Sequence, residues 1–174
     1  MGIYEFKPQK NIKRLQLVLG ILLLGSIAML LLTKIFVFPA EWIVQLIGLG
    51  MLTVGVFIYA RYIKRDFVYA SVIDEDGGVD FTVTEVTNKK KIVVCRIARA
   101  NIQQAFTVEK EDKEKSARVK QLIRDGKYKS FNYCADLFEE KYICILANEC
   151  GQPVAIKLSY HPSLESFLKN AGDA

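Results

Sequence analysis

Residues 15–33, LQLVLGILLLGSIAMLLLT, and residues 42–60, WIVQLIGLGMLTVGVFIYA, each run nineteen positions without a charged side chain, and eight residues separate them. At a rise of about 1.5 Å per residue, each run is about 28 Å long as a helix, close to the roughly 30 Å of hydrocarbon in a bilayer. A helix also satisfies its backbone N–H and C=O groups internally, which hydrocarbon demands. The pair predicts a two-helix transmembrane hairpin over residues 14–65, with spans of about 15–36 and 42–62. A cleaved signal peptide fits the first run less well. Its apolar core is usually only about 7–15 residues, and Phe38-Pro39-Ala40 makes a poor cleavage site.

The charges fall around these runs unevenly. The 174 residues hold 24 Lys and Arg against 19 Asp and Glu, a net charge of +5. Residues 1–65 carry eight of the basic residues against only Glu5 and Glu41, whereas residues 66–174 are nearly balanced. The surplus flanks the apolar runs: Lys7, Lys10, Lys13 and Arg14 before the first, Arg61, Lys64 and Arg65 after the second. Basic flanks stay on the cytoplasmic side, so both termini are expected there. The same placement favours anionic headgroups over nucleic acid as the counter-charge. Phe36, Phe38, Trp42, Tyr59 and Tyr62 fall where aromatic rings settle at membrane interfaces. Gly20, Gly25 and Ala28 in the first run and Gly48 and Gly55 in the second would let two helix backbones approach closely, making Gly20, Gly25, Gly48 and Gly55 the expected hairpin contact. Neither run has an ionisable residue at its middle, which argues against a proton or ion path.

Residues 1–13 read as a polar cytoplasmic arm. From residue 66 the period turns strand-like, and residues 66–174 are long enough for one domain with one core. Residues 67–74 are β-rich and end at the turn Asp74-Glu75-Asp76-Gly77-Gly78. Val79, Phe81 and Val83 then alternate with Asp80, Thr82 and Thr84. Further strands are expected over residues 91–99, 102–109, 127–135, 141–147 and 153–159. Between the fourth and fifth, Ala117, Val119, Leu122 and Ile123 recur at helical spacing before Gly126, predicting a short surface helix. Pro162 suits a first helical turn, and Leu164, Phe167 and Leu168 form one apolar stripe behind it.

The element order, seven antiparallel strands closed by a carboxy-terminal amphipathic helix, resembles that of pleckstrin-homology-like (PH-like) domains. Residues 96–105, RIARANIQQA, resemble the third-to-fourth strand junction of bacterial PH-like membrane proteins. Val154, Ile156 and Leu158, followed by Pro162, Leu164, Phe167 and Leu168, resemble that family's last strand and closing helix. The resemblance implies an α+β membrane protein of the bacterial cytoplasmic membrane: a hairpin carrying a cytosolic seven-stranded sandwich plugged by Leu164, Phe167 and Leu168. It implies a non-enzymatic protein-interaction or scaffolding module apposed to the bilayer, with a membrane or cytosolic protein, or a second copy, as partner. It also carries an alternative, protection against antimicrobial peptides and bacteriocins.

A phosphoinositide site of the PH type is disfavoured, because the first turn places Asp74, Glu75 and Asp76 where phosphate would have to bind. The basic turn Lys89-Lys90-Lys91, with Arg61, Lys64 and Arg65, marks the candidate contacts to anionic lipid. Catalytic and metal chemistry find little footing. His161 is the single histidine, and no cysteine pair among Cys95, Cys134, Cys144 and Cys150 has metal-ligand spacing. In the cytosol these thiols would stay reduced. No glycine-rich phosphate loop is present, so no cofactor or small-molecule substrate is expected, and the placement of the basic residues around the apolar runs leaves no nucleic-acid partner expected either.

Overall fold

The computed structural model describes residues 2–35, 41–74, 77–88 and 90–172 and divides the chain into two units, residues 11–65 and residues 1–10 with 66–174. Phe36, Phe38, Glu75, Asp76 and Lys89, each singled out above, lie outside the described residues.

In the helical unit, α1 (Ile12–Ile35) and α2 (Glu41–Ile58) carry the apolar runs, and α2 continues into a π-helical turn, Tyr59–Ile63. Their mean hydropathies reach 2.6 and 2.1, and both are long and apolar enough to cross a membrane. Only 11% and 6% of their most apolar windows are buried, where the core helix of a soluble protein would be largely enclosed. The helices run antiparallel along a seam of small residues. A Cβ at Gly48 would stand 3.3 Å from Met29 Cβ and 3.4 Å from the Ser26 carbonyl oxygen, and one at Gly55 would stand 3.8 Å from Leu22 Cβ. At Gly25 a Cβ would press on the Met51 methyl at 2.6 Å. Gly20 is off this seam, with nothing within 4 Å of its Cβ position. Five residues from Gly25, it lies about 140° further round the helix.

Among the described residues the second unit carries eight strands, the second of which begins at the last residue of the helical unit: β1 (Gly2–Phe6), β2 (Arg65–Ile73), β3 (Val79–Thr87), β4 (Lys90–Ala98), β5 (Ile102–Glu109), β6 (Lys129–Asn132), β7 (Lys141–Glu149) and β8 (Gln152–Ser159). They form two four-stranded sheets, ordered β1-β2-β3-β4 and β5-β7-β8-β6. Helix α3 (Lys113–Asp125) follows β5, and α4 (Pro162–Gly172) ends the unit.

Two expectations are corrected. The arm is not merely a polar leader: β1 pairs antiparallel with β2, placing Glu5 opposite Ala70 and Phe6 opposite Tyr69. Five residues carry too little period to announce a strand, and their partner lies beyond both apolar helices. Nor are the other seven strands all antiparallel, since β6 pairs parallel with β8. Because β5 and β8 both run antiparallel to β7, β6 is also parallel to β5. A helix joining two strands of one sheet is the connection that parallel strands require, and α3 supplies it.

Alternation along the strands sends Phe67, Tyr69, Phe81, Val83 and Ile97 from the first sheet and Ile143, Ile145, Ile156 and Leu158 from the second into one core. Leu164 and Leu168 of α4 complete it, with Phe167 packed at its margin. The crossing from β4 to β5 is a single 3₁₀ turn, Arg99–Asn101.

Candidate interaction surface

The outer faces of the two sheets differ. On the second sheet, α3 lays Val119 over Val108, Cys144, Leu146 and Ala155, forming a second small core that Ile123 and Tyr128 border. Asp112 caps this helix by accepting the Lys115 N–H at 2.9 Å, and Gly126 ends it. The first sheet has no such cover among the described residues of its unit. Its outer face is a groove of about 500 Å³ lined by Val68, Ala70, Val72, Thr84, Val86 and Val93, with Thr82 at its floor. Ile92 and Val93 are each 58% exposed, unusual for paired β-branched residues at a strand's middle.

A bulge shapes this face. The register shifts between Val83 and Thr84, so Cys95 opposes Val83 inward while Val93, two residues back, opposes Thr84 outward. The intervening Val94 packs at the core margin, and its carbonyl accepts the Tyr133 hydroxyl at 3.2 Å. Charge marks the groove's rim. Arg96 bonds Asp80 at 2.6 Å and Asp74 at 3.0 Å, with Glu5 and Lys91 also lining it. Among the described residues β4 is the last strand of its sheet, which leaves one of its edges without a strand partner.

The rest of the unit is fastened from within. The Tyr69 hydroxyl donates to the Tyr133 carbonyl at 2.8 Å and accepts the Ser159 N–H at 3.1 Å, joining β2 to β8. Burial pushes that phenol well above its ordinary pKa. The Ser159 hydroxyl accepts the Ala135 N–H at 2.9 Å and donates to Glu139. Burial raises the Glu139 carboxyl, only partly opposed by the Ser159 hydrogen bond. The arm is fastened too: Phe6 stacks on His161 at 3.9 Å between ring centroids, and Lys7 and Lys10 pair with Asp66 at 2.9 and 2.5 Å. Burial opposes the Asp66 charge, but the two lysines outweigh it and hold the carboxyl below its ordinary value. At α4, Arg99 lies 5.2 Å over the Phe167 ring, and Glu165 accepts from Thr107 and Tyr160.

Of the candidate lipid contacts, Lys90 and Lys91 are exposed at the start of β4, and Lys91 borders the groove. Arg61, Lys64 and Arg65 belong to the helical unit, where Arg61 lies 5.4 Å over the Tyr62 ring. His161 is engaged by Phe6 and Ser163 at the entrance to α4. All four cysteines are free thiols; burial pushes Cys95 and Cys144 up to about 11, which leaves them poor nucleophiles. Among the described residues no three of His, Cys, Asp and Glu gather as a metal site. Sequence reading missed the bare groove because its lining residues alternate like those of any half-buried strand. The one available signal was a valine-rich outward set, Val68, Val72, Val86 and Val93, where polar residues are usual. No family model, no curated protein and no solved structure matches this chain.

Proposed function

We infer that this chain is an integral membrane protein of the bacterial cytoplasmic membrane whose α1–α2 hairpin holds a PH-like cytosolic domain at the bilayer, and that the domain docks a protein partner. The docking reading is carried by one observation. The second sheet's outer face is roofed by α3, while the first sheet offers an unroofed apolar groove beside an unpaired strand edge. An exposed edge with apolar neighbours invites an added strand, and soluble proteins normally blunt such edges. The occupant is therefore an extended, apolar segment of a partner protein lying along β4, with an acidic residue opposite Lys90 and Lys91. Its backbone would bond the free edge, and alternate side chains would enter the groove.

Membrane insertion is supported by the length and hydropathy of both helices, and by the arm. β1 and β2 bond in one sheet although both helices lie between them, so the chain must return to the side it left, as two crossings do. The PH-like reading is supported by the shared core of two sheets, the one-turn crossing at 99–101 and the closing α4. Only Lys64 separates the π-helical turn from β2.

A photocrosslinking residue at Val93, in cells expressing the full chain, tests the docking reading. A discrete protein adduct at Val93 and none at Lys120 on α3 is expected. Absence of any adduct, or an adduct to a second copy or to lipid, overturns it. A reporter fused after Ala174 should read cytosolic.

A further inference from the structure

The hairpin carries a second groove, on one side of its own seam. Leu19 and Leu23 of α1 and Met51, Leu52, Gly55 and Val56 of α2 enclose about 290 Å³, with Tyr59 at one end. Apart from the Tyr59 hydroxyl, every lining group is apolar. The groove exists because Gly55 offers no side chain where α2 passes α1, while Met51, tucked onto Gly25, ends it on the other side.

Its position along the helices is one-sided. From Met51 to Tyr59 the groove runs about 12 Å, most of the roughly 15 Å of one leaflet's hydrocarbon. A third transmembrane helix would need a seam running the full thickness, and this one stops near the middle. The Tyr59 end is also the charged end. Because the helices are antiparallel, the start of α1 and the end of α2 lie together, bringing Lys13 and Arg14 alongside Arg61, Lys64 and Arg65. Lys13 and Lys64 are exposed, and the one acidic residue among residues 11–65, Glu41, begins α2 at the opposite end.

Resting on the membrane-spanning reading above, we propose that this groove is a binding site for one acyl chain of an anionic phospholipid from the cytoplasmic leaflet. The chain lies between Leu19, Leu23, Leu52 and Val56, and Lys13 and Lys64 hold the headgroup phosphate. Apolar lining supplies the burial, and the basic end supplies the choice of headgroup. The Tyr59 ring sits at the depth where the two meet. Lipid held there would be part of the anchored protein rather than bulk solvent.

Native mass spectrometry of the full chain, released from detergent containing equal phosphatidylglycerol and phosphatidylcholine, tests the proposal. One retained phosphatidylglycerol, at least fivefold over phosphatidylcholine, is expected. Gly55→Leu fills the groove, and its Cβ meets Leu22 at an ordinary 3.8 Å, so the hairpin should still form. It should lose the retained lipid of either kind. Lys13→Gln with Lys64→Gln should erase the headgroup preference. Equal retention of both lipids, or Gly55→Leu retaining lipid like the parent, overturns the proposal. So does a dimer that Gly55→Leu dissociates without change in lipid, which would make the groove a contact between copies. Alkaline carbonate extraction separates the two readings. A chain released from membranes defeats the spanning hairpin itself, whereas a chain that resists extraction yet retains no lipid defeats only the lipid site.

Discussion

The two sheets of the β-rich unit are built alike and finished differently. Each has four strands, and each sends alternate side chains into the common core. On the second sheet the far face also became a core, because α3 lies on it with Val119 only 2% exposed. On the first sheet the far face is also largely apolar, carrying Val68, Val72, Val86 and Val93, and has no such cover among the described residues of its unit. A sheet face therefore declares its role less by composition than by whether another element covers it. Covered, Val119 and Val108 contribute stability; Val68, Val86 and Val93, without a helix over them, are the residues that the docking reading assigns to a partner.

Placing a charge on each face breaks the comparison most sharply. Val119→Asp strands a carboxylate between α3 and the second sheet and should cost about 3 kcal/mol. Thermal unfolding of the full chain in detergent should show a large drop in the β-unit transition. Next in size is Phe6→Ala. Phe6 borders the core and stacks on His161, so losing it should cost about 1–2 kcal/mol and loosen β1 from the first sheet. Faster amide exchange at Phe67–Ser71 than in β7 would show that the first sheet alone is affected.

Two carboxylates then distinguish the sheets by pH, with opposite signs. Glu139 bonds Ser159 of the second sheet, and its folded pKa is raised by burial. A raised carboxyl costs stability once ionised, so stability falls as pH rises from its ordinary 4.5 through the folded value. Glu139→Gln should remove that fall, seen as a flatter melting temperature on the neutral side. Asp66, on the first sheet, is lowered instead. It stabilises above its ordinary 3.8, and that contribution is lost as pH falls through the folded value. Asp66→Asn should blunt the acid sensitivity and free the arm, an effect smaller than that of Glu139 because the pair is partly exposed.

The smallest stability change is expected where the docking reading expects the largest functional one. Val93→Asp on the bare sheet should move the β-unit transition by no more than about 0.5 kcal/mol. It should nevertheless abolish partner adducts formed from a neighbouring crosslinker at Lys91. A large loss of stability there would mean that the face is covered after all, and would erase the distinction between the sheets.

Sequence by itself determined both helices, because an uncharged run of nineteen residues has few other solutions, and it located seven strands, α3 and α4 from local period. Leu164, Phe167 and Leu168 were legible as a stripe for the same reason. Each of these is written in neighbouring residues. What only the tertiary structure decided is non-local. Gly2–Phe6 became a strand because β2, on the far side of both helices, offered it an edge. β6 turned parallel because a helix, not a hairpin, carried the chain to it. Gly20 left the seam because a helix has only one face toward its neighbour. The open groove on the first sheet belongs to this class. Val68, Val86 and Val93 carry the same alternation as covered residues, and which face receives a roof is settled only by where α3 comes to rest.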